Sequence, residues 1–159
     1  MSTPGGNTHV VTVEGDASGF AQRVTADSFT FSADEPVAGR GTGTGPDPYQ
    51  LMLAALGACK SMTAALYARR KQWPLTRVRV QLAHSRVWSQ DCESCLTQPV
   101  QLDRIDCAIE FSGALTDAQR VRLLEIVDRC PVHRTFTQRS ISAWFINFNP
   151  QISKHAHAR

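Results

Sequence analysis

Asp47-Pro48-Tyr49-Gln50-Leu51-Met52-Leu53-Ala54-Ala55-Leu56-Gly57-Ala58-Cys59-Lys60-Ser61-Met62 carries most of the longest apolar stretch, which runs from Tyr49 to Ala68. Asp47 can cap a helix, Pro48 suits the first helical position, and Gln50 sits where a capping-box partner reaches back. Leu51, Ala55, Ala58, Met62 and Leu66 recur at helical spacing and predict one apolar face, with Cys59 beside Ala55 and Met62. The residue before Pro74 is disfavoured from staying helical, so the helix should end near Gln72-Trp73. Gly57 in mid-helix costs about 1 kcal/mol relative to alanine, which points to close approach of another backbone. A membrane-spanning helix of about 20 residues normally avoids a charge such as Lys60. The stretch therefore reads as a buried helix, not a membrane span.

Upstream, Val10 to Glu14 alternates as a strand, Asp16-Ala17-Ser18-Gly19 signals a turn, and Phe20 to Thr25 and Ser28 to Ser32 read as short strands. Residues 33 to 46 form a Gly/Pro-rich loop ending Gly41-Thr42-Gly43-Thr44-Gly45-Pro46. It lacks the spacing and lysine of a phosphate-cradling Walker loop. Downstream, Val78, Val80 and Leu82 alternate with Arg77, Arg79 and Gln81, and Ile105, Cys107, Ile109 and Phe111 alternate again. The polar connection over 89–100 suggests a hairpin, and Cys107 reads as a core residue. A second helix starts at Thr116, with Gln119 as its capping-box partner, and presents Val121, Leu124 and Val127 or Asp128. It stops before Pro131. Ile141 to Phe148 reads as a final strand. The order predicts an α+β fold, two main helices on a curved antiparallel sheet. The expected organisation is a tail over 1–8, a single domain over 9–150 and a tail over 151–159 that includes His155 and His157.

The chain has 159 residues, a net charge of +3 and five cysteines. That length suits one domain with a real core. The arginines are scattered, without the concentrated basic stripe of a nucleic-acid binder. The N-terminus shows no basic start and no apolar run of a secretory signal. An odd cysteine count argues against a secreted disulfide framework, and the cytoplasm, where thiols stay reduced, is the expected compartment.

Two of the cysteines stand in contrasting sequence. Cys59 on its own reads as a small hydrophobe within a buried helix. Cys130 closes the second helix and opens Cys130-Pro131-Val132-His133-Arg134-Thr135. A positive neighbour stabilises a thiolate, whereas a helix C-terminus disfavours it. Cys130 is thus better placed as a partner thiol than as the primary attacking group.

Gly43 to Leu51, running into Ala54 to Thr63, resembles the first cysteine helix of the OsmC/Ohr superfamily (osmotically inducible protein C and organic hydroperoxide resistance protein). Asp128-Arg129-Cys130-Pro131-Val132-His133-Arg134-Thr135 resembles its second cysteine motif. The two occur in the right order at domain-scale separation, and the resemblance spans residues 9 to 148. It implies an intertwined homodimer with active sites at the subunit interface. It further implies thiol-dependent reduction of organic hydroperoxides, with Cys59 peroxidatic and Cys130 resolving, closing a Cys59–Cys130 disulfide. The reductant would be an external dithiol source: a lipoylated protein, thioredoxin or a small thiol. No metal or organic cofactor is implied, and neither nucleic acid nor membrane is an expected partner. Better-studied members carry a glutamate early in the cysteine helix, paired with an arginine from the N-terminal hairpin. Here Gln50 brings an amide without charge, and Arg23 and Arg40 are the only arginines before the helix.

Two other readings stay open. Cys92, Cys95, Cys130 and His133 form a Cys3His set with zinc-knuckle spacing, which would make the chain a zinc-stabilised interaction module. Loss of the carboxylate at Gln50 also allows an OsmC-fold protein without fast peroxidase activity that binds or senses small electrophiles. His133 can simply bond a backbone carbonyl after the helix.

Overall fold

We describe residues 8–88 and 101–137 of a computed structural model of the chain. The expected strand over 141–148, the polar connection over 89–100 with Cys92 and Cys95, and most of both tails lie outside these residues. Three short strands, β1 (Val11–Gly15), β2 (Gln22–Ala26) and β3 (Phe29–Ala33), form an antiparallel meander in which Val24 pairs with Val13 and with Phe31. A 3-10 turn over Val37–Gly39 leads into helix α1 (Pro48–Arg70). Strands β4 (Leu75–Trp88) and β5 (Gln101–Gly113) then pair antiparallel, with Val80 opposite Ile109 and Leu82 opposite Cys107. Helices α2 (Asp117–Val127) and α3 (Pro131–Thr137) follow.

The expectation of one curved sheet under two helices is overturned. The described strands form two separate antiparallel sheets, of three and two strands, and the described helices number three. The third helix has a simple cause. Helix α2 ends at Val127, ahead of Pro131, and proline suits the first turn of a new helix, where its missing N–H is not needed.

The two capping boxes are present as read. Gln50 N–H donates to Asp47 Oδ1 at 2.8 Å, and Asp47 N–H to Gln50 Oε1 at 3.0 Å. Gln119 N–H donates to Thr116 Oγ1 at 3.2 Å, and Thr116 N–H to Gln119 Oε1 at 2.9 Å. The start of α1 is also pinned to the β4–β5 pair. The Tyr49 ring stacks on His84 at 4.2 Å between centroids, and Arg86 Nη2 donates to Tyr49 Oη at 3.1 Å.

The buried faces are rotated from those expected. Helix α1 buries Leu56, Lys60, Ala64 and Ala68, every fourth residue, while Met62 is 70% exposed and Leu66 49%. Helix α2 buries Leu123 and Val127 and leaves Val121 and Leu124 exposed. Ala64 and Ala68 join Leu123 and Val127 in the central cluster, flanked by Tyr67, Trp73, Val78 and Phe111. Small alanine side chains permit that close helix approach, so the core follows residue size as well as hydrophobicity. Gly57 does mark a close approach, but to side chains: a Cβ there would lie 3.3 Å from Leu82 Cδ1 and 3.9 Å from Val80 Cγ1. By length and composition α1 is apolar enough to cross a membrane. It packs instead on β4, α2 and α3.

The Gly-rich loop wraps a buried acid. Asp34 accepts from Thr42 Oγ1 at 2.6 Å, Thr42 N–H at 2.8 Å and Thr44 N–H at 3.2 Å. The Thr42 hydroxyl chiefly holds its carboxyl well below the usual carboxylate range, against the opposing effect of burial. A Cβ at Gly41 would fall 1.8 Å from the Glu35 carbonyl oxygen, so the wrap requires glycine there.

Candidate thiol site at the junction of the three helices

Cys59 is half-buried on α1, and Cys130, fully buried, fills the corner between α2 and α3. Arg134 N–H donates to the Cys130 carbonyl at 3.1 Å, opening α3, and His133 N–H donates to Cys130 Sγ at 3.4 Å. The sulfur therefore sits at a helix N-terminus as well as after a helix C-terminus. That removes the simple objection from the α2 dipole, since a helix start favours negative charge. Burial nevertheless dominates and pushes the Cys130 thiol up, with the Cys59 thiol adding to the rise; the His133 N–H and the charge of Lys60 oppose it. Cys59 and Lys60 are thus the side chains whose proximity bears on the Cys130 sulfur.

Lys60 is 4% exposed. Its Nζ donates to Asp128 Oδ1 at 2.9 Å, to His133 Nδ1 at 3.2 Å and to the Val127 carbonyl at 3.4 Å. An ammonium has no acceptor, so in this contact Nδ1 of His133 is the acceptor. The backbone-carbonyl partner expected for His133 is not what engages Nδ1. Lys60 and Asp128 were missed as site residues. The available signal was a lysine inside an otherwise apolar helix, which is rare unless the charge is paired.

A cleft of about 440 Å³ opens beside this cluster, with Leu56, Ile105 and Phe136 among its walls and Lys60 and His133 among its polar groups. Cys107 lines it too. It is exposed, which corrects its reading as a core residue. Period-two alternation fixed its face of β5, but in this chain that face meets a cleft. Partial burial still pushes its thiol up, and the charge of Lys60 opposes that.

The auxiliary residues stand elsewhere. The Gln50 amide is engaged with Asp47 and lines a separate open groove of about 470 Å³ with Gly57 and Val80. It stands nine positions before Cys59 on the helix, about 13 Å along the axis. Arg23 lies on β2 opposite Glu14 and Ser32. Arg40 ends the 3-10 turn in the left-handed region at φ 69°. Neither arginine is among the groups acting on Cys130. Among the described residues, no group of three or more His, Cys, Asp or Glu is placed to hold a metal ion. Half of the zinc set, Cys92 and Cys95, lies outside them.

The sequence profile described as OsmC-like protein matches residues 41–144, a span that holds both cysteine motifs. The chain belongs to the OsmC-like protein family. Solved structures agree in fold. An OsmC-like protein from Mycoplasma pneumoniae is 21% identical, with a TM-score of 0.66 over 84% of this chain and 90% of that one. A putative organic hydroperoxide resistance protein from Vibrio cholerae is 20% identical, with a TM-score of 0.59 over 87% and 89%. The organic hydroperoxide resistance protein OhrB of Bacillus subtilis is 18% identical, with a TM-score of 0.58 over 84% and 93%. No curated protein matches the chain. At these identities the structures speak for the fold alone.

Proposed function

We propose that the chain is a two-cysteine hydroperoxide reductase acting on small organic hydroperoxides. The observation that carries this reading is that half-buried Cys59 lies near enough to buried Cys130 for its side chain to act on that thiol. The Cys59 thiolate attacks the distal peroxide oxygen; the O–O bond breaks, alkoxide leaves as alcohol after taking a proton, and Cys59 becomes sulfenic acid. Cys130 sulfur then displaces hydroxide from that sulfenic acid, giving a disulfide and water. An external thiol, from a lipoylated protein, thioredoxin or a small molecule, reduces it. No resident metal or organic cofactor enters these steps.

The working form is a homodimer in the cytoplasm. Val11, Val13 and Phe29 on the three-stranded sheet, and Met62 and Leu66 on α1, are all large apolar residues left exposed in the single chain. Exposure on that scale marks an interaction surface.

The test is one equivalent of an organic hydroperoxide on reduced protein, with peptide mass spectrometry under non-reducing conditions. A Cys59–Cys130 disulfide supports the reading; unmodified Cys59 ends it. A second reading, an OsmC-fold binder or sensor of small electrophiles, is favoured by the Gln50 amide being held in a capping box. Sustained hydroperoxide consumption with a dithiol present rules that out.

A further inference from the structure

Lys60 is bonded to both sides of the segment that holds Cys130. Val127 and Asp128 precede that cysteine and His133 follows it, and Lys60 itself directly follows Cys59. An ammonium has three N–H donors, and all three find an acceptor here. A buried charge is tolerable only when paired and hydrogen-bonded, and this one is both. The Val127 carbonyl it meets belongs to the last turn of α2, where backbone acceptors lack helical partners and a cation is favourable. With every donor engaged, Lys60 has none left for a ligand in the neighbouring cleft. Its role is to hold, not to bind.

We propose that Lys60 is the positioning residue of the two-cysteine site: it fixes the α2–α3 corner against the helical turn bearing Cys59, and so sets how fast the Cys59 sulfenic acid closes onto Cys130. The inference rests on the two-cysteine reading above and deepens it. Closure forms one S–S bond and breaks one S–O bond. The Cys130 sulfur loses its proton, Cys59 loses hydroxide, and the two leave together as water. No outside oxidant is consumed beyond the hydroperoxide that made the sulfenic acid. The step requires the two Cα atoms within about 7 Å. Small misplacements of reacting groups slow such steps sharply. Lys60 also brings the one cation among the groups that favour the thiolate form of Cys130, the form that attacks.

The experiment is single-turnover oxidation of full-length wild type and Lys60→Met by an organic hydroperoxide, with quenched samples separated into sulfenic acid, disulfide and sulfinic acid at Cys59. Circular dichroism checks that both proteins are folded. In Lys60→Met, disulfide closure slows by at least about tenfold, the scale expected for displaced reacting groups. Sulfinic acid at Cys59 rises, while peroxide consumption in the first event changes much less. A purely structural lysine would shift both phases together or neither. Folded Lys60→Met that closes its disulfide at the wild-type rate overturns the proposal. If Lys60→Met does not fold, the double variant Asp128→Ala/His133→Ala removes two of the three acceptors and is read in the same way; wild-type closure there overturns it equally. Wild type that forms sulfenic acid but no disulfide defeats the two-cysteine reading itself, and this inference with it.

Discussion

The backbone N–H of His133 donates to the sulfur of Cys130 across 3.4 Å, in a corner where that cysteine has no exposed surface. The bond favours thiolate and the burial opposes it, and burial wins. A folded-state value above the unfolded one means that the neutral thiol stabilises the fold at low pH, and that this contribution is lost as pH rises through the folded value. Cys130 should therefore resist iodoacetamide at neutral pH and gain reactivity only above the ordinary thiol range, about 8.5. Of Cys107 and Cys130, exposed Cys107 should be labelled first. Mass spectrometry of timed digests reads the order; equal rates at neutral pH would contradict the burial argument.

Asp34 predicts an acid-dependent contribution of the opposite sign. Its carboxyl is lowered by the Thr42 and Thr44 bonds. The stabilisation is thus present above the unfolded value, about 3.9, and lost as pH falls through the folded one. Asp34→Asn should lower the urea midpoint at neutral pH, and the gap to wild type should shrink in acid. A gap that stays constant or widens on acidification would remove the carboxylate from the explanation.

Gly57 tests the approach of α1 to β4. In Gly57→Ala the new Cβ meets Leu82 Cδ1 at 3.3 Å, the movable end of a side chain. The helix gains from alanine and the contact tightens, so the net change should stay within about 1 kcal/mol. Gly57→Leu sets a branched side chain against Leu82 and Val80 and should lose about 1–3 kcal/mol through overpacking. Thermal melts of the two variants separate these cases.

Leu123 is completely buried between α1 and α2 in the central cluster. Leu123→Ala should cost about 2–5 kcal/mol, the range for large-to-small changes in a packed core. The same substitution at Leu124, 46% exposed in this chain, should cost far less to the isolated protomer. If Leu124→Ala proves the more damaging, its surface is covered in the assembled protein, and sedimentation of both variants would show it.

The helix starts were legible because their signals are local. Asp47 with Gln50 and Thr116 with Gln119 occupy fixed spacings, and both boxes form. The β4–β5 pairing followed from period-two alternation. The buried faces of α1 and α2 were less legible, because a run rich in apolar residues offers several stripes. The choice of Leu56, Lys60, Ala64 and Ala68 depends on which stripe a partner helix can approach. The split into two sheets depends on tertiary contacts, and the extra helix on a proline that reads as a stop but begins a helix. Both thiols of the candidate site were visible in the sequence. Lys60 was visible only as an objection to a membrane helix, because its three partners lie far along the chain.

The complete burial of Cys130 also gives the site a polarity. Once a Cys59–Cys130 bond has closed, an incoming thiol meets the Cys59 sulfur on the accessible side, and Cys130 must be the group that departs. A thiol with a raised pKa leaves slowly, so in the proposed cycle this departure would slow the return half. Electrons would enter by one door, and the choice of donor would be made by whatever shape fits over Cys59.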